Sequence, residues 1–349
     1  MDAFETFLPF VGTDFNVLIL VALGFAVGVL AGFFGMGGGW VITPALYSFG
    51  FPMQLAIGTG LGSITAQGAL ATMKHRKMGN VDYVLGGTVG ASMVLGVEGG
   101  KRVVNLLVSM GLAGTVVGWI YVPLLLALAA YIARDCLLEA RRRAAATGSG
   151  GFPKDAGGRR NGRAGKGKLF AIGPSIALSS CGVEVSVGLL VGLGLLVGFL
   201  AGLLGTGGGF ALVPAFVYLI GTPTLVAVGT SLLCVLISGA YGAFAYGRQG
   251  SVEIVAVLWM LAGAVVGTQL GAAATRYVRG YGIRLLYAVM LLLASSGLVM
   301  KQLGVVPNAE GESRLAPLVI LGGAALMCVV ILARMVGALV RGRRGTRGG

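Results

Sequence analysis

Histidine occurs once in this sequence, cysteine four times and carboxylates twelve times among 349 residues, which leaves little material for catalysis or metal binding. Cys136, Cys181, Cys234 and Cys328 lie far apart without a CxxC spacing, so neither a disulfide framework nor a zinc site is expected. His75 alone cannot complete a Ser/His/Asp or Cys/His set, no HExxH occurs, and no paired carboxylates stand within the apolar runs. No enzyme, no metal and no cofactor is therefore expected. Charge is scarce too: 11% of residues are charged against 56% hydrophobic, with a mean hydropathy of +0.91, and a soluble fold would expose too much of that apolar surface.

What is abundant suits a bilayer. Apolar runs near the length that crosses roughly 30 Å of hydrocarbon as a helix recur along the chain. They fall at about 16–34, 40–50, 54–73, 81–99, 103–119 and 121–138, then at 185–204, 210–220, 225–246, 252–275, 282–299 and 316–340. Glycine fills 63 positions, often four apart, as in Gly24/Gly28/Gly32, Gly194/Gly198/Gly202 and Gly263/Gly267/Gly271. Such rows let helices approach closely in lipid and read as packing seams.

The net charge of +14 is concentrated in Lys and Arg between Glu139 and Lys168 and in Arg341, Arg343, Arg344 and Arg347. Basic stretches beside apolar spans follow the positive-inside pattern, so both are expected in the cytoplasm and nucleic acid is not expected as a partner. Residues 139–170 read as a flexible, Gly-rich linker. The acidic first stretch, with Asp2, Glu5 and Asp14, has no basic n-region and is expected to be retained.

The chain repeats itself. Ala31–Ala45 reads AGFFGMGGGWVITPA and Ala201–Ala215 reads AGLLGTGGGFALVPA, identical at 8 of 15 positions. After a one-residue insertion the copies stay in register. Pro52 matches Pro223, Gly58-Thr59 matches Gly229-Thr230, and KMGNVD (Lys77–Asp82) matches RQGSVE (Arg248–Glu253). The expectation is an all-α polytopic membrane protein of two homologous repeats, each with about five spanning helices and one helix broken at the glycines. Its parts are a first transmembrane repeat over 1–138, the linker at 139–170, a second repeat over 171–340 and a basic tail at 341–349. If the segments at 40–50 and 210–220 are re-entrant, each half crosses five times and the halves are inverted; if they cross, each half crosses six times and the halves are parallel. Six crossings put both basic stretches inside, as charge favours, but leave Lys74–Lys77 outside, whereas five leave the linker and the tail on opposite sides. Discontinuous helices are frequent in inverted-repeat transporters, which favours five.

A helix broken at membrane depth leaves backbone groups that hydrocarbon cannot satisfy, so the break must be buried in protein or line a polar cavity. A short helix restarting near Trp40 and Phe210 would aim its first N–H groups into the break, with glycines allowing close approach: an anion site without a buried Lys or Arg. The candidate substrate-binding residues are Gly35, Gly37, Gly38, Gly39 and Pro44, with Gly205, Gly207, Gly208, Gly209 and Pro214. The neighbouring helices add Thr59, Ser63, Thr65 and Gln67, and Thr230, Ser231, Cys234, Ser238 and Tyr241; by register Ser63 pairs with Cys234 and Gln67 with Ser238. Of these, Thr59, Ser63, Gln67, Thr230, Cys234 and Ser238 are taken as binding candidates, with Thr59 and Thr230 foremost because they recur. Alternatively the glycines serve only helix crossing, and the hydroxyls bond back to their own helix. Glu98 and Glu184 are candidate proton carriers, with interfacial solvation favoured for both, and His75 reads as part of a solvated basic loop, KHRK.

Duplicated G-x-GGG-x4-P, followed by GT(G/S)L at Gly58 and Gly229 and by a basic-Gly-x-Val-acidic turn, resembles the TauE/SafE sulfite exporter family, also called the toluene-sulfonate uptake permease group. The resemblance covers both halves. It implies a bacterial inner-membrane transporter that exports small sulfur oxyanions such as sulfite or organosulfonates. The partners expected are then a small anionic substrate and the lipid bilayer, with a homodimer left open. A passive anion channel, or a non-catalytic subunit of a membrane complex, is the alternative.

Overall fold

The computed structural model describes residues 5–147, 175–178, 183–275, 281–303 and 315–345. They are mostly helical, but not wholly so. An antiparallel hairpin of β1 (Glu5–Leu8) and β2 (Thr13–Asn16) precedes α1 (Val17–Phe34), where the Asn16 side chain accepts from the Leu18 N–H. A second hairpin, β3 (Ser175–Leu178) with β4 (Val183–Ser186), precedes a later helix of equal length. These hairpins correct the all-α expectation. Strands of four residues alternate too briefly for a period to be read from the sequence.

After α1 come α2 (Gly39–Ser48), α3 (Met53–Lys77), α4 (Tyr83–Ser109) and α5 (Ala113–Thr147). The second hairpin leads into α6 (Val187–Leu204) and α7 (Gly209–Ala215), which widens into a π-turn over Phe216–Ile220. There follow α8 (Thr224–Gly247), α9 (Ile254–Ala274), α10 (Tyr281–Gln302) and α11 (Leu315–Gly345). The apolar runs at 103–119 and 121–138 are not two helices. α4 passes through the polar stretch at Glu98, which pairs with Lys101 at 2.7 Å and Arg102 at 3.3 Å, the i,i+3 and i,i+4 spacings that support a helix. The turn falls instead at Gly111, with φ 71°, and α5 then runs unbroken through Pro123. It continues to Thr147, into the stretch expected to be linker; residues 148–174 and 346–349 lie outside the described residues.

The chain forms two compact units, residues 1–117 with 166–273 and residues 118–165 with 274–349. Within the first, glycine seams set the helix pairs. A β-carbon on Gly24, Gly28 or Gly32 of α1 would meet the α9 backbone at Met260, Ala264 and Thr268, and one on Gly263, Gly267 or Gly271 of α9 would meet α1 at Val21, Phe25 and Val29. Gly194, Gly198 and Gly202 of α6 press likewise on α4 at Val89, Met93 and Val97. Both pairs run parallel, since residue numbers rise together. α3 and α8 run antiparallel: Gly58 near the start of α3 lies against Tyr246 and Ser251, and Gly229 near the start of α8 lies against His75 and Asn80. Phe15, just before α1, meets Phe49 and Phe51 edge-on at 5.2 and 6.2 Å, so α2 carries the chain back to the end from which α1 set out.

The second unit is held along α10 and α11. Ala288, Leu291, Ser295 and Leu298 form a buried stripe on one, Ile320, Ala324, Met327 and Ile331 on the other, at the three- and four-residue spacing of a helix seam. Among the described residues six helical stretches are long and apolar enough to cross a membrane: Val17–Phe34, Ala113–Arg134, Val187–Leu204, Thr224–Gly247, Ile254–Ala274 and Ile320–Gly337. Exposed Leu196, Leu258, Val266 and Val329 give these helices outward apolar faces, which hydrocarbon solvates and water does not.

The seams predict a sharp contrast. Gly198→Leu should destabilise the purified protein by about 3 kcal/mol or more, because the α4 backbone cannot yield without parting the helices. Gly192→Leu, on the open side of the same helix, should leave the thermal unfolding midpoint in detergent unchanged.

Candidate functional site

α1 and α6 end in the same way. Gly35 (φ 72°, ψ 17°) and Gly205 (φ 72°, ψ 18°) take the left-handed conformation, each donating its N–H to the carbonyl four residues back, at Ala31 and Ala201. A side chain at Gly35 would strike Val228 of α8, and one at Gly205 would strike Ile57 of α3. Gly37 and Gly207 are again left-handed, and α2 and α7 start at Gly39 and Gly209. The two turns touch. Gly39 abuts the backbone of Gly205 and Thr206, and Gly209 abuts that of Met36.

Several carbonyls at the turns find donors. Ser231 Oγ donates to Gly35 O, Thr43 Oγ1 to Gly205 O at 3.3 Å, and Ser238 Oγ to Gly207 O at 3.3 Å. One turn earlier His75 Nε2 lies 3.1 Å from Gly32 O, and Tyr246 OH donates to Gly202 O at 2.9 Å. The N–H groups fare differently. Among the described residues those of Gly37, Gly38, Gly207 and Gly208, all buried, meet no acceptor within hydrogen-bond distance. Two side chains beside them also keep an unmatched polar atom. Gln67 donates from Nε2 to Ser63 Oγ at 3.0 Å while its Oε1 lies near Gly38 without a partner, and Thr206 Oγ1 has none. Ile64 and Val235 cover the same place, Val235 against Gly37 and both against Gly207.

Of the sequence-predicted candidates, the glycines of both copies, Gln67 and Ser238 come together here. Pro44 and Pro214 sit inside α2 and α7 rather than at their starts. Thr59 and Thr230 are committed elsewhere. Thr59 Oγ1 accepts from the Glu253 N–H and Thr230 Oγ1 from the Asp82 N–H, both at 2.9 Å. Each Gly-Thr pair thus receives the turn before α9 or α4: the glycine admits the turn backbone at Ser251 or Asn80, and the threonine satisfies its N–H. Cys234 Sγ points to Gly86 O of α4 at 3.4 Å, and Thr65 Oγ1 bonds back to Leu61 O at 2.7 Å.

His75 is not part of a solvated loop. Lys74–Lys77 form the last turn of α3, where positive charge complements the helix dipole, and His75 faces inward with no exposed surface. Glu98 lies half-buried on α4, and Glu184 belongs to β4, outside any spanning helix. The sequence missed Thr206, Thr43 and the covering pair Ile64 and Val235. Thr206 could have been found as the polar residue inside the second glycine cluster, where the first has Met36.

Comparison with known proteins agrees on the class. Residues 20–298 match the family described as Sulfite exporter TauE/SafE. The chain is similar to a protein named "Probable membrane transporter protein YunE" of Bacillus subtilis, 28% identical over 296 residues that cover 81% of this chain and 97% of the relative. It is also similar to a "Probable membrane transporter protein" of Xylella fastidiosa (strain 9a5c), 26% identical over 75% of this chain and 86% of the relative. No solved structure matches the chain.

The Gly-Thr contacts carry their own expectation. Thr230→Val keeps the shape but removes the hydroxyl that accepts from the buried Asp82 N–H, and should cost about 1–3 kcal/mol in detergent unfolding. Thr59→Val should cost a similar amount at Glu253, and the double variant the sum of the two.

Proposed function

The chain belongs to the sulfite exporter TauE/SafE family of membrane transporters, and on that premise we propose that it is a secondary transporter that exports small sulfur oxyanions, such as sulfite or organosulfonates, across the bacterial inner membrane. The anion is held where the glycine turns meet. The observation that carries this reading is the set of buried N–H groups at Gly37, Gly38, Gly207 and Gly208, which have no protein acceptor among the described residues. Unpaired buried donors are rare and costly, and an oxyanion is the ligand they suit. Thr206 Oγ1 can add a donor, and the Gln67 amide has a second hydrogen beyond the one given to Ser63. A full positive charge is not needed, so none has to be desolvated.

The two halves act as inverted repeats, each contributing one turn. The antiparallel course of α3 and α8, and the return of α2 to the starting end of α1, support that arrangement. Access alternates as one repeat rocks against the other. Ile64 and Val235 are the side chains that must shift to admit the solute, because they lie on Gly37 and Gly207.

Proteoliposomes loaded with labelled sulfite provide the test. Gly37→Val and Gly207→Val should each lower flux at least about a hundredfold, since a β-branched residue resists φ values of 60° and 69° and fills the anion's place. Gly87→Val, at an open position on α4, should transport normally. Gln67→Leu should lower kcat/KM about tenfold, near 1.4 kcal/mol of lost stabilisation. Undiminished efflux from a correctly inserted Gly37→Val/Gly207→Val protein would refute the site.

A further inference from the structure

We propose that the polar cavity bounded by Glu98, Lys101, Tyr241, Phe244, Arg248 and Gln249 is a second oxyanion site, in which Glu98 is a resident counterion that an incoming anion replaces. The cavity measures about 320 Å³ and shares no lining residue with the glycine turns, so the inference does not depend on the reading given to them. Three donors already converge on the Glu98 carboxylate. Lys101 Nζ lies 2.7 Å from Oε2, Tyr241 OH donates to the same oxygen at 2.8 Å, and Arg102 Nε donates to Oε1 at 3.3 Å. Donors that fit one carboxylate fit the oxygens of another oxyanion.

The charges do not balance. Lys101 and Arg248 line the cavity against a single carboxylate, and Arg248, whose guanidinium lies 5.9 Å from the Phe244 ring centre, makes no ion pair among the described residues. Arg248 is thus left to neutralise one monovalent anion. Lys101 and Glu98 expose only 13% and 26% of their side chains, so their fields are partly sheltered from salt. Gln249 accepts from Gln54 Nε2 at 3.4 Å, which holds its amide in place and leaves its NH2 group to donate. A bare sulfite would leave most of the volume empty, and Phe244 with Ala245 offers an apolar wall for a short carbon chain. The ligand class is therefore a small organic sulfonate or carboxylate, or the phosphate of a lipid headgroup, which carries the same oxygens. Counting on from Asp82 and Glu253, Glu98 and Lys101 fall opposite Gln269 and Ala272, so the charge set is not repeated in the other half.

Equilibrium binding of labelled ethanesulfonate to the full chain in phosphatidylcholine nanodiscs tests this, with Gly37→Val/Gly207→Val as the background so that the turns do not contribute. Binding should persist in that background and weaken with added salt. Arg248→Gln should weaken it about tenfold, whereas Glu98→Gln, which removes the competing carboxylate, should tighten it about tenfold. The opposite sign at Glu98 separates a displaced counterion from a mere structural support. Competition by phosphatidylglycerol that Arg248→Gln abolishes would support the site and assign it to a lipid phosphate. Ethanesulfonate binding unaffected by Arg248→Gln, or weakened by Glu98→Gln, would overturn the proposal.

Discussion

A backbone polar group placed where water cannot reach must find a partner inside the protein, and the arrangement around the two glycine turns follows from that requirement. Ending α1 at Gly35 and α6 at Gly205 strands carbonyls at the helix ends. Ser231, Thr43, His75 and Tyr246 meet those of Gly35, Gly205, Gly32 and Gly202. The stranded N–H groups of Gly37, Gly38, Gly207 and Gly208 receive no such partner among the described residues. A carbonyl matched by a hydroxyl stabilises the turn, whereas a free donor keeps the capacity to bind, and this asymmetry separates structural from proposed functional groups at one place.

The same economy explains the glycines outside the turns. In lipid the helices gain little from hiding apolar surface from one another, so they are held by close contact, and close contact needs small residues. The seams of α1 with α9 and α6 with α4 bring backbones together without side chains between them. Those seams also fix the ends of α1 and α6, and so the position of each turn. Gly58 and Gly229 extend the principle to loops: each admits a foreign turn, whose N–H the next residue, threonine, accepts.

Much of this was legible along the chain. The glycine clusters, their recurrence, the short helices after them and the seams at fourfold spacing all follow from local pattern, because backbone conformation and helix faces are local properties. Partners across the fold were not legible. Thr59 and Thr230 looked like ligands because they recur, and the contacts assign them to the turns before α9 and α4. His75 looked solvated because its neighbours are Lys and Arg, yet a helix places adjacent residues on different faces, and only His75 turns inward. The α4–α5 boundary was misplaced because the apolar run was ended at 99, just before Lys101 and Arg102, whereas their spacing from Glu98 supports a continuing helix once they pair.

By itself the sequence determined the membrane class and two glycine interruptions alike in residue order. Composition and short-range spacing suffice for those, since each depends on a residue and its near neighbours. Only the tertiary structure decided that the two interruptions touch, that Ile64 and Val235 cover them, and which hydroxyls are used up in holding the fold. Residues about 170 positions apart, such as Gly39 and Gly205, meet through helix packing that no local pattern encodes.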